Sequence, residues 1–411
     1  MQRWVKFVKH LRNFGWEPVI YTPESPFVTE HDKTLLKEIP VGVEVLKLPV
    51  LEITKFFGAP TASNQSGVSP TLYSKFKKLL GSFVRGNFFI PDPRVLWVSP
   101  SVKFLSEYLS KYKIDAIVST GPPNSMHLIA LGIKEKFNIP WLADFRDPWM
   151  EVLKFHDFNI SALAMKRHEQ LFERVLKNAD SIVTAHPSVK EKFSKQTTAP
   201  VTAITNGYDE EDLQQTAPAN TNASKFNIVF VGILYDALNS TTFWEAIAEL
   251  NKENTLFSDK LHLIFTGKVK EAAMRDLESF GLLRQSEFTG YVNHNIAISY
   301  EKAADILLLF TPDGEEFKYI IPGKLFEYLG VQKPVLCVAP EENDSAQIVL
   351  ATKGGEVVSP TDKTAIKSTL LRMFGAFQKG ELKVSSSAFE QYERKNLTAR
   401  LVEVLAAISS K

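Results

Sequence analysis

The chain has 411 residues, too many for one ordinary hydrophobic core, and this length predicts two domains of roughly 150 to 200 residues each. Hydrophobic residues make up 44% of the sequence and charged residues 23%, which is typical of a folded globular protein and excludes a largely disordered one. The formal net charge of +1 argues against a nucleic-acid partner, because no overall positive field attracts one.

Cys337 is the single cysteine and lies in an apolar run. The sequence therefore excludes an internal disulfide and indicates a reducing compartment, with a buried, inert thiol as the simplest interpretation. No apolar run approaches the ~20 residues that span a bilayer, and the N-terminus lacks the apolar core of a signal peptide. We expect a cytoplasmic protein, either free or peripheral on the inner face of the cytoplasmic membrane.

In the first half of the chain a helical pattern at residues 1–8 is followed by short β-branched runs that alternate with further helical patterns. This alternation predicts βαβ units and a parallel sheet. The strands are expected near Pro18–Tyr21, Glu44–Leu48, Asp115–Ser119, Pro140–Ala143, Ser181–Thr184 and Val201–Ile204.

A polar, proline-containing run then predicts a linker, and a second αβ series follows it. Its strands are expected near Asn227–Val231, Leu261–Phe265, Ile306–Phe310 and Pro334–Val338, with a closing helix at Ser387–Ile408. The predicted fold class is α/β, with two Rossmann-like doubly wound domains facing across a ligand-binding cleft. The predicted boundaries are an N-terminal domain at 1–213, a linker at 214–225, a C-terminal domain at 226–385, and a helix at 386–411 that crosses back to the N-terminal domain.

The segment from Ile321 to Leu329 combines a loop, a helix start and two charged side chains. Pro322 and Gly323 at the helix start leave backbone N–H groups free for a phosphate, and Lys324 adds a full positive charge. Glu327 lies on the same side of the helix, where its carboxylate can accept hydrogen bonds from ribose hydroxyls. The alternative is an ordinary helix with an exposed Lys and Glu pair.

The strand near Pro140–Ala143 runs into three charged residues, Asp144, Arg146 and Asp147. The guanidinium of Arg146 suits a phosphate or an acidic acceptor, and Asp144 or Asp147 can orient or deprotonate an acceptor hydroxyl. The alternative is a structural cluster in which two aspartates cage the arginine. His186, at the next strand end, is either an acceptor-site residue or a histidine that caps a loop.

PGKLFEYLGVQKPVL, residues 322–336, resembles the donor-site element of family 4-type bacterial glycosyltransferases of the GT-B fold, in the variant with Lys-x-x-Glu at the helix start. Tyr319 stands where the commoner form has a second glutamate, and the neighbouring Glu315 and Glu316 are candidates to substitute for it. STGPP, residues 119–123, and IPWLADFRDPW, residues 139–149, resemble paired motifs of an envelope-polysaccharide subgroup. FVG (230–232), FTGK (265–268) and FTGYV (288–292) resemble the donor-side turns.

The resemblance implies transfer of a sugar from a nucleotide-diphosphate donor to a cell-envelope glycan or lipid-linked acceptor. It implies retention of configuration, no cofactor and no catalytic metal, with Lys324 neutralising the leaving diphosphate. The expected donor residues are Gly232, Lys268, Thr289, Gly290, Tyr291, Pro322, Gly323, Lys324 and Glu327. The expected catalytic residues are Asp144, Arg146, Asp147 and Lys324, and the acceptor side adds Gly121, Pro122 and His186.

The first residues depart from this pattern, because relatives begin with a strand and a glycine-rich loop before their first helix. Three explanations are open: the start codon is misassigned, the chain is truncated, or the protein is a degenerate, non-catalytic relative that binds nucleotide sugars. A nucleotide-sugar epimerase on the same fold is a further alternative. If the gene starts upstream, we expect the added residues to supply that strand and loop, and to raise both stability and activity.

The segment from Tyr73 to Ile90 combines a helical apolar stripe with four basic side chains and no acid. This pattern predicts contact with an anionic membrane surface through Lys75, Lys77, Lys78 and Arg85, or packing of the stripe in the core. The first helix, with Arg3, Lys6, Lys9 and Arg12, is expected to add to this basic surface.

Overall fold

The computed structural model describes residues 2–25, 38–50, 83–84, 86–155, 160–384 and 386–410. The chain forms two compact units, Met1–Thr205 with Thr398–Lys411, and Asn206–Leu397. Within the described residues, each helix is too short or too polar to cross a membrane. The proposed membrane contacts, Lys75, Lys77, Lys78 and Arg85, lie outside the described residues.

The first unit contains two parallel sheets. A two-stranded sheet pairs β1 (Val19–Pro23) with β2 (Glu44–Leu48). A four-stranded sheet has the order β3-β4-β5-β6. Its strands are β3 Ile117–Gly121, β4 Trp141–Phe145, β5 Ser181–Thr184 and β6 Val201–Ala203. The helices are α1 Gln2–Leu11, α2 Val98–Leu109, α3 Ser125–Phe137, α4 Trp149–Phe155, α5 Ala162–Asn178 and α6 Pro187–Ser194.

Helix α1 confirms the helical pattern expected at the start of the chain, but its basic residues do not form the expected surface. Arg3 and Lys6 are both buried, and the Lys6 ammonium lies 2.6 Å from a Glu38 carboxylate oxygen. Two of the four cations on this helical face are therefore committed to internal contacts, because a buried charge needs a partner.

The second unit is built on a six-stranded parallel sheet of order β12-β11-β10-β7-β8-β9. Its strands are β7 Phe226–Leu234, β8 Leu261–Val269, β9 Ser286–Gly290, β10 Ile306–Phe310, β11 Val335–Val338 and β12 Gly355–Val358. The helices are α7 Glu210–Gln214, α8 Thr241–Glu253, α9 Thr255–Lys260, α10 Glu271–Ser279, α11 His294–Ala303, α12 Lys324–Gly330, α13 Asp344–Thr352 and α14 Lys363–Gln378. The strand order reverses between β7 and β10, and such reversals are where open α/β sheets bind ligands.

Each face of this sheet carries its own apolar core. Phe226, Phe265 and Phe310 point to a face covered by α8, α10 and α14. Leu309 and Cys337 point to the opposite face, which α11, α12 and α13 cover. Cys337 is fully buried, which confirms the expected burial, and this burial raises the pKa of its thiol to about 12. All three sheets in the described part of the chain are parallel, as the predicted α/β class requires.

The boundary between the units differs from the predicted linker. Tyr208 and Leu213 belong to the core of the second unit, and the Tyr208 backbone exchanges hydrogen bonds with Tyr392 and Arg394. Residues 206–213 therefore fold with the second unit. The last helix, α15 (Arg394–Ser409), begins in the second unit and continues into the first from Thr398 onward.

Candidate functional site

The carboxyl ends of β3 and β4 bring several of the expected acceptor residues together. The backbone N–H of Arg146 donates to Gly121 O at 3.0 Å, and its guanidinium donates to Pro122 O at 3.2 Å. The guanidinium also lies 3.4 Å from the Asp147 carboxylate, with 29% of the arginine side chain and 42% of the aspartate side chain exposed. Arg146 and Asp147 are therefore accessible to an acidic or hydroxyl-bearing ligand.

His186 joins this group from the start of α6. Its Nε2 lies 2.9 Å from Arg146 O, and the residue is 8% exposed. The imidazole therefore contacts the backbone that carries Arg146, which fits the loop-capping interpretation. Gly121 has a packing reason to be glycine, because a Cβ there would lie 2.6 Å from Nε2 of the buried His127 ring.

Asp144 is placed differently from Arg146, Asp147 and His186. Its side chain is fully buried and accepts four hydrogen bonds: two from the Arg3 guanidinium at 3.3 and 3.0 Å, one from Trp4 Nε1 at 2.6 Å and one from Thr120 Oγ1 at 2.9 Å. A carboxylate enclosed in this way has no access to an acceptor hydroxyl. The geometry corrects the expected catalytic role: Asp144 anchors α1 to β4, and the arginine that pairs with it is Arg3 rather than Arg146.

On the second unit, Lys324 and Glu327 open α12 as the sequence predicts. The Lys324 ammonium lies 2.7 Å from a Glu327 oxygen, with the two side chains 26% and 21% exposed. Helix α12 has only seven residues, so its dipole is small and the site's positive charge comes mainly from the lysine. Pro322 is half-buried and Gly323 is exposed, and open space surrounds the position of a Cβ at Gly323.

Two further ionisable side chains complete this cluster from α11. Glu301 is fully buried, and its Oε1 lies 3.2 Å from the Lys324 ammonium. His294 stands between two acids, 3.8 Å from Glu327 and 3.9 Å from Asp212. The nearby Asp212 carboxylate raises the pKa of His294, against the lowering effect of its partial burial.

A buried tyrosine links α12 to the end of β7. Tyr328, the residue after Glu327, accepts a hydrogen bond at its hydroxyl from Val231 N at 3.0 Å, and Val231 precedes Gly232. Lys324 and Glu327 thus lie on a helix that this hydrogen bond holds against the glycine turn where a donor was expected.

The remaining donor-side residues follow one another along neighbouring strands. Gly232 is paired with Gly267, and Lys268 is the next residue of β8. A side chain at Gly267 would collide with the backbone of Gly232, so this close pairing requires glycine. Gly290 pairs with β8, Thr289 donates its hydroxyl to Gly290 O at 3.1 Å, and Tyr291 is 79% exposed. Among the residues that the structure describes, no hydrogen bond or ion pair joins these turns to Lys324.

The sequence did not predict Glu301 and His294 as site residues. A signal for Glu301 exists, because Ala297, Ile298 and Glu301 share one buried face of α11, so a carboxylate interrupts an apolar stripe. His294 is a single histidine at a helix start, and nothing in its spacing distinguishes it.

Residues 225–375 match the family model described as Glycosyl transferases group 1, whereas a search of curated proteins gives no match. The solved structure of Anabaena Alr3699/HepE, in complex with UDP and glucose, superposes with a TM-score of 0.62 at 14% identity, over 98% of this chain and 95% of that one.

Two other similar structures have functions stated in their descriptions. Sucrose-phosphate synthase from Thermosynechococcus elongatus gives a TM-score of 0.57 at 14% identity, over 98% of this chain and 92% of that one. WaaG, a glycosyltransferase involved in lipopolysaccharide biosynthesis, gives 0.54 at 13% identity, over 100% and 95%. The chain therefore has the GT-B fold of these structures, and its residues 225–375 resemble a domain of the Glycosyl transferases group 1 family.

Proposed function

We propose that this protein transfers a sugar from a nucleotide-diphosphate donor to a cell-envelope glycan or lipid-linked acceptor. The observation that carries the proposal is the partly exposed Lys324 and Glu327 pair, which lies within the matched domain at residues 225–375. A cation beside a carboxylate suits a ligand that combines phosphate charge with vicinal hydroxyls.

In the proposed reaction the acceptor hydroxyl forms the new bond to the anomeric carbon, and the bond from that carbon to the diphosphate oxygen breaks. Negative charge grows on the departing diphosphate, and Lys324, with Lys268 as a second candidate, stabilises it electrostatically. Glu327 holds the ribose hydroxyls. On the first unit, Arg146 binds an acidic group of the acceptor, and Asp147 is the exposed carboxylate that can accept the hydroxyl proton.

We propose a uridine diphosphate sugar as the donor to test first, because the similar Anabaena structure contains UDP and glucose. We also propose retention of configuration and independence from divalent metal, since a lysine supplies the charge that a metal would otherwise supply. The acceptor proposal is supported by the structural similarity to WaaG, a glycosyltransferase involved in lipopolysaccharide biosynthesis.

The deciding experiment is a calorimetric binding screen with nucleotide sugars, followed by product analysis by mass spectrometry with lipid-linked and oligosaccharide acceptors. We expect submillimolar binding of a nucleotide-diphosphate sugar and a glycosylated product. Binding without any product would favour the non-catalytic relative. A change in the donor sugar without transfer would favour the epimerase, because a putative UDP-N-acetylglucosamine 2-epimerase from Listeria monocytogenes shares the fold with a TM-score of 0.57 at 10% identity.

We further propose that the protein is cytoplasmic and binds the inner membrane surface peripherally through Lys75, Lys77, Lys78 and Arg85. Each cation near anionic lipid contributes about 1 kcal/mol. Replacing the four with glutamine should release the protein from phosphatidylglycerol-containing vesicles and leave nucleotide binding intact. Equal sedimentation of both proteins with the vesicles would overturn the membrane proposal.

A further inference from the structure

Glu301 is a buried carboxylate with few donors. Its side chain is fully buried, and Oε1 lies 3.2 Å from the Lys324 ammonium. Its other oxygen, Oε2, has no hydrogen-bond partner among the residues that the structure describes. Enclosing an ionised carboxylate is costly unless charge and hydrogen bonds compensate it. One shared ammonium is modest compensation.

The neighbouring charges explain why Glu301 is poorly compensated. Glu327 approaches the same ammonium at 2.7 Å, so two carboxylates compete for one cation. Burial and the nearby Glu327 raise the pKa of Glu301 to about 7, with Lys324 and His294 acting in the opposite direction. The titratable groups that face it are therefore Lys324, Glu327 and Tyr328 from α12 and His294 from its own helix, with Asp212 behind His294.

We propose that Glu301 is the positioning residue of the donor site, holding the Lys324 ammonium in place and taking up a proton when a nucleoside diphosphate binds that ammonium. This inference rests on the proposed function. A diphosphate brings new negative charge and competes for the lysine, and both effects favour the neutral form of a buried acid. Once the Lys324 ammonium interacts with the ligand, protonation of Glu301 removes the free-energy cost of a buried charge that has lost its cation.

The consequence is a pH-dependent donor affinity. At pH 7 about half of the Glu301 carboxyls are ionised in the free protein, so binding should take up about half a proton. Affinity should fall about three- to tenfold as the pH rises from 7 to 8, because ionised Glu301 must then be protonated for binding. UDP-glucose is the suitable probe, since its diphosphate diester does not titrate in this range.

The test is isothermal titration of UDP-glucose in two buffers of different ionisation enthalpy, repeated from pH 6 to 8. Glu301→Gln keeps the side-chain shape and a carbonyl oxygen for Lys324 but cannot titrate, so its affinity should be constant with pH and its proton uptake absent. Glu356→Gln is the matched control, because it removes a surface carboxylate paired with Arg372 and should behave like wild type. His294→Asn should retain the uptake.

The outcomes separate this inference from the function on which it rests. Proton uptake in wild type that disappears in Glu301→Gln supports the inference. UDP-glucose binding without proton uptake in wild type overturns it and leaves the donor site standing, and this measurement does not depend on the folding of any variant. Uptake that disappears in His294→Asn but persists in Glu301→Gln assigns the proton to His294 and also overturns it. Failure of wild type to bind any nucleotide sugar overturns both proposals.

Discussion

Replacing Arg3 with methionine should destabilise the first unit strongly, although Arg3 lies near the start of the chain. Its guanidinium is 2% exposed and pairs with the fully buried Asp144. It also donates to Ile204 O and Thr205 O, both at 2.7 Å. Methionine fills part of the same volume but leaves the carboxylate with only the donors from Trp4 and Thr120.

The size of the loss follows from what is left unpaired. Removing one partner of a buried ion pair costs about 3–5 kcal/mol, because the other charge stays buried. With a urea dependence of roughly 2 kcal/mol per molar for a unit of this size, the unfolding midpoint of the first unit should fall by about 1.5–2.5 M. The second unit contains neither residue, so its stability should change little.

Native-state hydrogen exchange read by mass spectrometry in increasing urea can follow the two units separately. Peptides from β4 and β5 report on the first unit, and peptides from β7 and β8 on the second. Arg174→Met is the matched control, because Arg174 pairs with Glu135 while both side chains stay about half exposed, and such pairs contribute at most about 1 kcal/mol. If the two arginine variants lose the same stability, Asp144 does not depend on Arg3 and the structural assignment is wrong.

Four further predictions concern the proposed chemistry and the response to pH. Glu327→Ala should weaken nucleotide-sugar binding about 10- to 150-fold in calorimetry, since charge-assisted hydrogen bonds contribute about 1.5–3 kcal/mol, whereas Glu356→Ala, which removes a surface carboxylate paired with Arg372, should not. Lys324→Ala should lower kcat more than affinity, and an equal effect on both would contradict its leaving-group role. Chelator should leave turnover intact, and loss of turnover that magnesium or manganese restores would refute metal independence. Acid should destabilise the first unit between pH 6.5 and 4, because burial lowers the pKa of His127 to about 4 and the unfolded chain binds that proton first. His127→Gln should flatten this dependence of the unfolding free energy on pH in urea titrations. An unchanged dependence on pH would exclude His127 as its source.

The interior strands could be predicted from the sequence because each is a short, continuous apolar run. β5 and β10 agree with the expected bounds, and β4 begins one residue later than expected. The predictions missed β9 and β12, which form the two edges of the second sheet. An edge strand has a neighbouring strand on one side only and is less buried than an interior strand. β9 therefore mixes Glu287 and Thr289 with an exposed Phe288 and lacks the continuous apolar run on which the prediction depends.

The site could be predicted only where its contacts are local in sequence. Lys324 and Glu327 are three residues apart on one helix, and helical geometry brings them together. Arg3 and Asp144 are separated by 141 positions, so no spacing rule pairs them, and the nearby Arg146 was a reasonable but incorrect partner. Glu301 and Lys324 are 23 positions apart and on different helices, so only the packing of α11 against α12 brings them into contact.

Asp144 and Glu301, both fully buried in the part of the chain that the structure describes, show what separates an acid that stabilises the fold from one that can respond to a ligand. Asp144 and Glu301 are equally enclosed, so burial alone does not distinguish them. Asp144 accepts four hydrogen bonds from Arg3, Trp4 and Thr120, so both of its oxygens have partners. Glu301 shares a single ammonium and has one oxygen without a donor, so a ligand that draws the lysine away changes its charge easily. The number of donors, rather than burial, is therefore what identifies Glu301 as the acid that can respond to a nucleotide.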